Sequence, residues 1–166
     1  MKFCNNLIKS ILLIGLWGFS FSCSEEPFPE LPAETHTGAG TFGCLVNNEL
    51  VFALSRYNQA GLVAGASYDR NNNRLRISSR CQFGQEFEFL INNPNNKQTI
   101  RIDTVRYLPP DSTDRTVATQ IGNITLTRFD SLTYIVSGTF SFDLNEAGKS
   151  SVHVTKGRFD LTFNSY

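Results

Sequence analysis

Glu86 and Glu88 are the residues of this sequence whose type and spacing most suggest chemistry. The run Glu86-Phe-Glu-Phe alternates polar and apolar side chains, which predicts a half-buried strand. Both carboxylates then leave one face, two positions apart, and paired carboxylates are the equipment of glycoside hydrolysis. A neighbouring run argues for a plainer role. Arg74, Arg76 and Arg80 alternate in the same way, and opposite charges across one sheet face form ion pairs that keep it solvated. The only two histidines, His36 and His153, lack a second ligand at metal spacing, so no metal centre is expected. The chain has no G-x-S-x-G elbow, no H-E-x-x-H and no glycine-rich phosphate loop. Asp111-Ser112-Thr113-Asp114 lacks the spaced acids and closing glutamate of an EF-hand. The expectation is therefore no catalytic residue, no metal and no cofactor. The alternative is a carbohydrate-binding or glycoside-active protein using Glu86 and Glu88. The only tryptophan, Trp17, precedes the domain, so stacking on a sugar would fall to Tyr57, Tyr68 or Tyr107.

The elements that would position these side chains are short strands. In the run from Tyr134 to Leu144, Tyr134, Val136, Gly138, Phe140, Phe142 and Leu144 share one parity, and Ser137, Thr139, Ser141 and Asp143 the other. In the last strand the phase flips between Val154 and Phe159, which calls for an extra residue at a bulge. Gly157 is the expected site of positive φ there. Gly138-Thr-Phe and Gly157-Arg-Phe read as two strands obeying one packing rule. Asn47-Asn48 suits a two-residue hairpin turn. If Leu75, Ile77, Phe87 and Phe89 all face the core, Ile77 pairs with Phe89 and Leu75 with Ile91. Arg80 then faces Glu86 and Ser78 faces Glu88, across a connection centred on Phe83 with Gly84 at positive φ. Residues 107–116 form the longest loop and residues 116–121 a short strand. No helical period occurs. The expected fold is all-β: a single antiparallel β-sandwich or flattened up-and-down β-barrel joined by hairpins.

Residues 1–22 are a targeting segment. Lys2 and Lys9 precede an apolar run over residues 11–21, too short for the roughly 20 residues that span a bilayer. Ser22-Cys23 follows. This resembles a bacterial lipoprotein signal, in which the cysteine is lipidated and becomes the first residue, although Ser20 and Phe21 depart from the usual pattern. The alternative is ordinary secretion with Cys23 a free thiol. Ser24-Glu25-Glu26 resembles the surface-export signal of Bacteroidota lipoproteins. Pro27, Pro29 and Pro32 make a stiff tether of residues 23–40, which leaves 41–166 as the β domain. Removing 22 of the 166 residues takes Lys2 and Lys9 but no acid, so a near-neutral chain becomes slightly acidic. No basic stripe marks a nucleic-acid partner. The expected partner is the lipid bilayer, reached through N-terminal acyl chains. The expected place is the outer membrane, on its periplasmic or cell-surface face.

Of four cysteines, Cys4 leaves with the signal and Cys23 takes the lipid. Cys44 and Cys81 remain, each on an apolar strand face. In an oxidising envelope they form either a disulfide or two separate buried thiols. Asp103-Thr104-Val105, Asp111-Ser112-Thr113 and Asp130-Ser131-Leu132 resemble the Bacteroidota O-glycosylation sequon, which makes Thr104, Ser112 and Ser131 candidate acceptors. Such triplets are also good turn starters.

The stretch LPAETHTGAGTFGCLVNN over residues 31–48, the strand ITLTRFD and the closing VSGTFSFDL and VTKGRFDLTF resemble a family of uncharacterised Bacteroidota lipoproteins. Its members open on L-P-P-x-T-x-x-G-x-x-T-F-G-C-x-V-N-G and close on G-x-F-D. Ala33 replaces the second proline and Asn48 the last glycine. The resemblance implies an all-β domain on a lipid anchor and brings no established activity with it.

Overall fold

The structure, a computed structural model, describes residues 30–54, 63–110, 116–145 and 151–166. The side chains of residues 54, 102–104 and 116–121 are outside that description. The targeting segment, Cys23, the start of the tether, Tyr57 and Ser112 also lie outside it.

Nine strands and no helix make up the described chain. They are β1 (Thr41–Val46), β2 (Glu49–Leu54), β3 (Val63–Asp69), β4 (Arg74–Arg80), β5 (Glu86–Asn92), β6 (Gln98–Leu108), β7 (Thr116–Asp130), β8 (Ile135–Leu144) and β9 (Val152–Ser165). The order in the sheet is β2-β1-β9-β3-β4-β5-β6-β7-β8, and β8 pairs back onto β9. Seven strands from β9 to β8 thus close into a ring, with the β1–β2 hairpin added to β9. That strand serves three partners. One edge pairs with β8 along its length. The other pairs with β1 near its start and with β3 near its end. The fold is all-β and barrel-like, as expected, but the sheet is mixed, because β3 runs parallel to β9. The region expected to be a short strand at residues 116–121 is instead the first half of β7, which continues unbroken to Asp130.

Local signals set the hairpins. Asn47 and Asn48 take φ of 50° and 69° and let Val46 pair with Glu49. The β4–β5 ladder has the expected register: Ile77 pairs with Phe89, Leu75 with Ile91, Arg80 with Glu86 and Ser78 with Glu88. Gly84 closes that turn at φ 84° and donates its N–H to the Cys81 carbonyl at 3.0 Å.

The inner face of the ring is filled by aromatic rings. Phe42, Phe87, Phe89, Phe140 and Phe142 are each no more than 4 % exposed. Phe42 lies 5.2 Å from Phe140, and Phe89 lies 4.9 Å from Phe140, centroid to centroid. Burying such side chains is worth about 1.5–3 kcal/mol apiece. The two G-x-F motifs interlock here. Phe140 pairs with Gly157, and Gly138 pairs with Phe159. A Cβ on Gly157 would lie 2.4 Å from the Phe140 ring, and one on Gly138 2.6 Å from Phe159. Each glycine makes room for the aromatic ring of the other strand.

The bulge in β9 is present. Gly43 pairs with Arg158 and Leu45 with Thr155, so Lys156 and Gly157 share the space opposite Cys44. The residue at positive φ is Lys156, at 51°, and not Gly157. Gly157 is required by the Phe140 ring, not by backbone conformation. Tyr134, placed on the inward face of β8 by parity, is instead a turn residue at φ 56°.

The expected domain boundary at residue 41 also needs correction. Residues 32–40 are no free tether. They form a strap across the outer face of β8 and β9, in which Gly38 and Gly40 are buried. Gly43 lacks a side chain because Pro32 packs against it: a Cβ there would lie 2.5 Å from Pro32 Cδ.

Candidate functional site

The alternation of β4, β5 and β6 puts Arg76, Arg80, Glu86, Glu88 and Arg106 on one outer face. Arg80 reaches Glu86 with Nη2 at 2.6 Å and Nε at 2.8 Å from Oε1. Arg76 Nε lies 3.0 Å from Glu88 Oε1, and Arg106 Nη1 lies 3.5 Å from Glu88 Oε2. Glu88 thus sits between guanidinium groups of both flanking strands, with its side chain only 12 % exposed. The face is slightly concave, a hollow of about 250 Å³ with Val63 and Leu108 at its rim. Both expected β4–β5 pairs have their register here. Arg106 was not anticipated. It pairs with Glu88 across the β5–β6 ladder, and its signal was its parity with Leu108, obscured by the adjoining proline loop.

Other candidate residues are dispersed. His153 Nδ1 lies 2.8 Å from Asp143 Oδ1, and both side chains are more than half exposed. His36 lies in the strap, its Nδ1 3.3 Å from Thr127 Oγ1. Among the described residues no cluster of His, Cys, Asp or Glu is arranged to hold a metal ion. Tyr107 is buried, and Tyr68 packs edge-on against Phe129 and Phe163. Tyr107 borders the hollow beside Glu86 and Glu88 but is only 4 % exposed. Thr104 lies within β6 beside an irregularity in its pairing with β7, not at a strand end. Ser131 is exposed in the β7–β8 turn. Asp130 works as a turn starter there. It accepts from the Leu132 and Thr133 amides at 2.9 and 3.2 Å and from Arg128 at 2.8 Å. The Arg128 and Thr133 side chains, followed by these amides, hold its carboxyl well below the usual range.

The disulfide alternative is not realised. Cys44 and Cys81 are free, buried thiols. They do face the same core. Burial, followed by the neighbouring Cys81, pushes the Cys44 thiol far above its ordinary value. Burial pushes Cys81 up to about 12, against a lowering contact with Ser79 Oγ at 3.7 Å. Such thiols are inert packing groups, because the thiolate is the reactive form.

The most heavily bonded side chain was missing from every expectation. Asp160 lies on the outer face of β9 by parity, yet it is 1 % exposed because the strap covers it. Its Oδ2 accepts from Thr35 Oγ1 at 2.6 Å, the Thr37 amide at 2.9 Å, Thr37 Oγ1 at 3.3 Å and the Ala39 amide at 3.1 Å. Its Oδ1 accepts from the Gly38 amide at 2.8 Å and Ser137 Oγ at 2.7 Å. Burial alone would raise its pKa. The hydroxyls of Thr35 and Ser137 and the amides of Thr37 and Ala39 outweigh that and hold the carboxyl well below the usual range. Gly38, at φ 73°, turns its amide inward. Arg158 Nη1 donates to the Pro32 carbonyl at 2.9 Å, and Arg128 Nη1 donates to the His36 carbonyl, pinning the strap on either side. This carboxylate is a structural clasp: its oxygens are already occupied by donors.

Thr35 and Gly38, from the opening stretch, thus bind Asp160 of the closing strand, and Pro32 covers Gly43. No protein-family model, curated protein or solved structure matches this chain.

Proposed function

We propose that the chain is a non-enzymatic lipoprotein of the cell envelope, a binding or structural module anchored in the outer membrane through acyl chains on Cys23. The observation that carries this reading is how the acidic side chains are used. Glu86 and Glu88 are engaged by arginines, and Asp160 is sealed under the strap. Carboxylates employed in this way serve the structure through their ion pairs and hydrogen bonds. The Ser22-Cys23 junction and the resemblance of residues 31–163 to Bacteroidota lipoproteins support the anchor. Because the strap docks from Pro32 onward, only eight residues separate it from Cys23. Fully extended, they reach roughly 25–30 Å, which holds the domain close to the bilayer. Stable attachment takes more than one acyl chain, as lipoproteins carry.

Intact mass of the membrane-extracted protein tests the anchor. The expected mass exceeds that of residues 23–166 by a diacylglyceryl group and a third acyl chain. An unmodified, freely soluble chain overturns it. The carbohydrate alternative draws on the hollow around Glu86 and Glu88. Glycoside turnover by the purified protein that disappears in Glu86→Gln or Glu88→Gln would establish that alternative and remove the non-enzymatic reading.

A further inference from the structure

We infer that the outer face of β7, β8 and β9 carries a binding site for a tetrahedral oxyanion, phosphate or sulfate, beside the bulge at Lys156. The register aligns the donors. Asn123 pairs with Ser141, Thr125 with Thr139, and Thr139 with Arg158, so their side chains form adjacent rows across three strands. Together with Lys156 and Glu34 of the strap they border a groove of about 350 Å³.

Three features select the ligand. The first is unspent positive charge. Arg76, Arg80 and Arg106 of the β4–β6 face are ion-paired, whereas Lys156 and Arg158 have no acidic partner among the described residues. The second is an orphan donor. Arg158 Nη1 donates to Pro32, but its Nε is buried and has no acceptor among the described residues. A buried guanidinium N–H without an acceptor is costly; a small shift of the Arg158 side chain would open it to the groove, where an oxyanion supplies a charge-assisted acceptor. The third is the bulge itself, a device that re-aims side chains beside binding sites. It places Lys156 in the left-handed region, at the border of the groove next to Arg158. Of the other lining groups, Asn123, Thr125, Thr139 and Ser141 are neutral donors that suit the other oxygens of a tetrahedral anion. Phe140 and Gly157 complete the lining, but Phe140 is only 4 % exposed and offers little ring surface for stacking on a neutral sugar. Glu34 is the one opposing charge on the rim.

The test follows backbone amide resonances of the full chain in detergent during titration with inorganic phosphate and, separately, sulfate. Saturable shifts are expected at Asn123, Thr139, Ser141, Lys156 and Arg158. Lys156→Asn removes the cation but keeps a residue that accepts φ of 51°. It should weaken binding by about tenfold or more, the worth of one charge-assisted hydrogen bond. Glu34→Gln should tighten binding. Competition by vesicles containing phosphatidylglycerol would assign the phosphate to a lipid headgroup, and inert vesicles would assign it to a soluble ligand; either result supports the site. Absence of saturable shifts overturns the inference, as do shifts confined to Arg76 and Arg106, or affinity unchanged in both variants while urea unfolding shows them folded.

Discussion

Replacing Asp160 should cost this domain more than any other single outward-facing substitution. Its carboxylate accepts six hydrogen bonds, three from backbone amides of the strap and three from hydroxyls. Bonds to a charged acceptor contribute roughly 1.5–3 kcal/mol each, and a simple sum would exceed the stability of most domains. The sum is not what Asp160→Ala loses. When the carboxylate is gone, the strap can lift and return its amides to water, so the loss is capped by the free energy of docking residues 32–40. What remains is the Gly40 amide on the Asp160 carbonyl at 2.7 Å, the Arg158 and Arg128 contacts and Pro32 on Gly43. A loss of about 3–5 kcal/mol is expected, in the range for breaking a buried charged network. Asp160→Asn should cost about 2–3 kcal/mol, because its NH₂ must confront either the Gly38 amide or the Thr37 and Ala39 amides. Urea unfolding measures both. If the strap lifts in the native state, the m-value falls too, since less surface remains to be exposed, and limited proteolysis cuts within residues 32–40. The pH dependence has a definite sign. The folded carboxyl titrates below its unfolded value of about 3.9. Its stabilisation is therefore complete above about pH 4 and is lost as pH falls further. Asp160→Asn should flatten that acid limb. A loss below about 1 kcal/mol in both variants, with an unchanged acid limb, would refute the clasp.

Gly157→Ala and Gly138→Ala should each destabilise by about 1–3 kcal/mol, because the first meets the Phe140 ring and the second meets the Thr125 carbonyl as well as the Phe159 ring; urea midpoints will move with the m-value unchanged. Denaturing the unreduced protein in the presence of an alkylating reagent should label both Cys44 and Cys81, whereas the native protein should resist labelling at neutral pH because neither thiol ionises there. Arg80→Ala should change stability by no more than about 1 kcal/mol, as the Arg80 side chain is exposed although Glu86 is only partly so; a larger loss in thermal or urea melts would mean that the ladder holds the barrel closed.

Much of the fold was legible because strands advertise themselves locally. Period-two alternation fixed the β4–β5 register through Ile77, Phe89, Leu75 and Ile91, since a slip of one residue would expose all four. Asn47-Asn48 and Gly84 marked turns because few residues adopt those backbone conformations. The break in phase near Gly157 announced the bulge, though not which residue would carry positive φ. The site was less legible. Alternation gave the pairing of Arg80 with Glu86, but Arg76 and Arg106 reach Glu88 from two different strands, and the order of strands is not a local property. The free Cys44 and Cys81 show the same limit: a shared core was readable, a bond was not.

The sequence by itself determined an all-β chain, the facing of its strands and the hairpins that join neighbours, because those depend on side chains a few residues apart. The tertiary structure alone decided that β3 runs beside β9 in parallel and that β8 returns to close the ring. It also decided the fate of Asp160 and Ser137. Alternation puts both on the outward face, where polar side chains normally meet water. They are buried because residues 35–39, at least 121 positions from Asp160 in the chain, fold back over them. No local pattern encodes that contact. It forms where three strap amides find their acceptor in a carboxylate on the last strand.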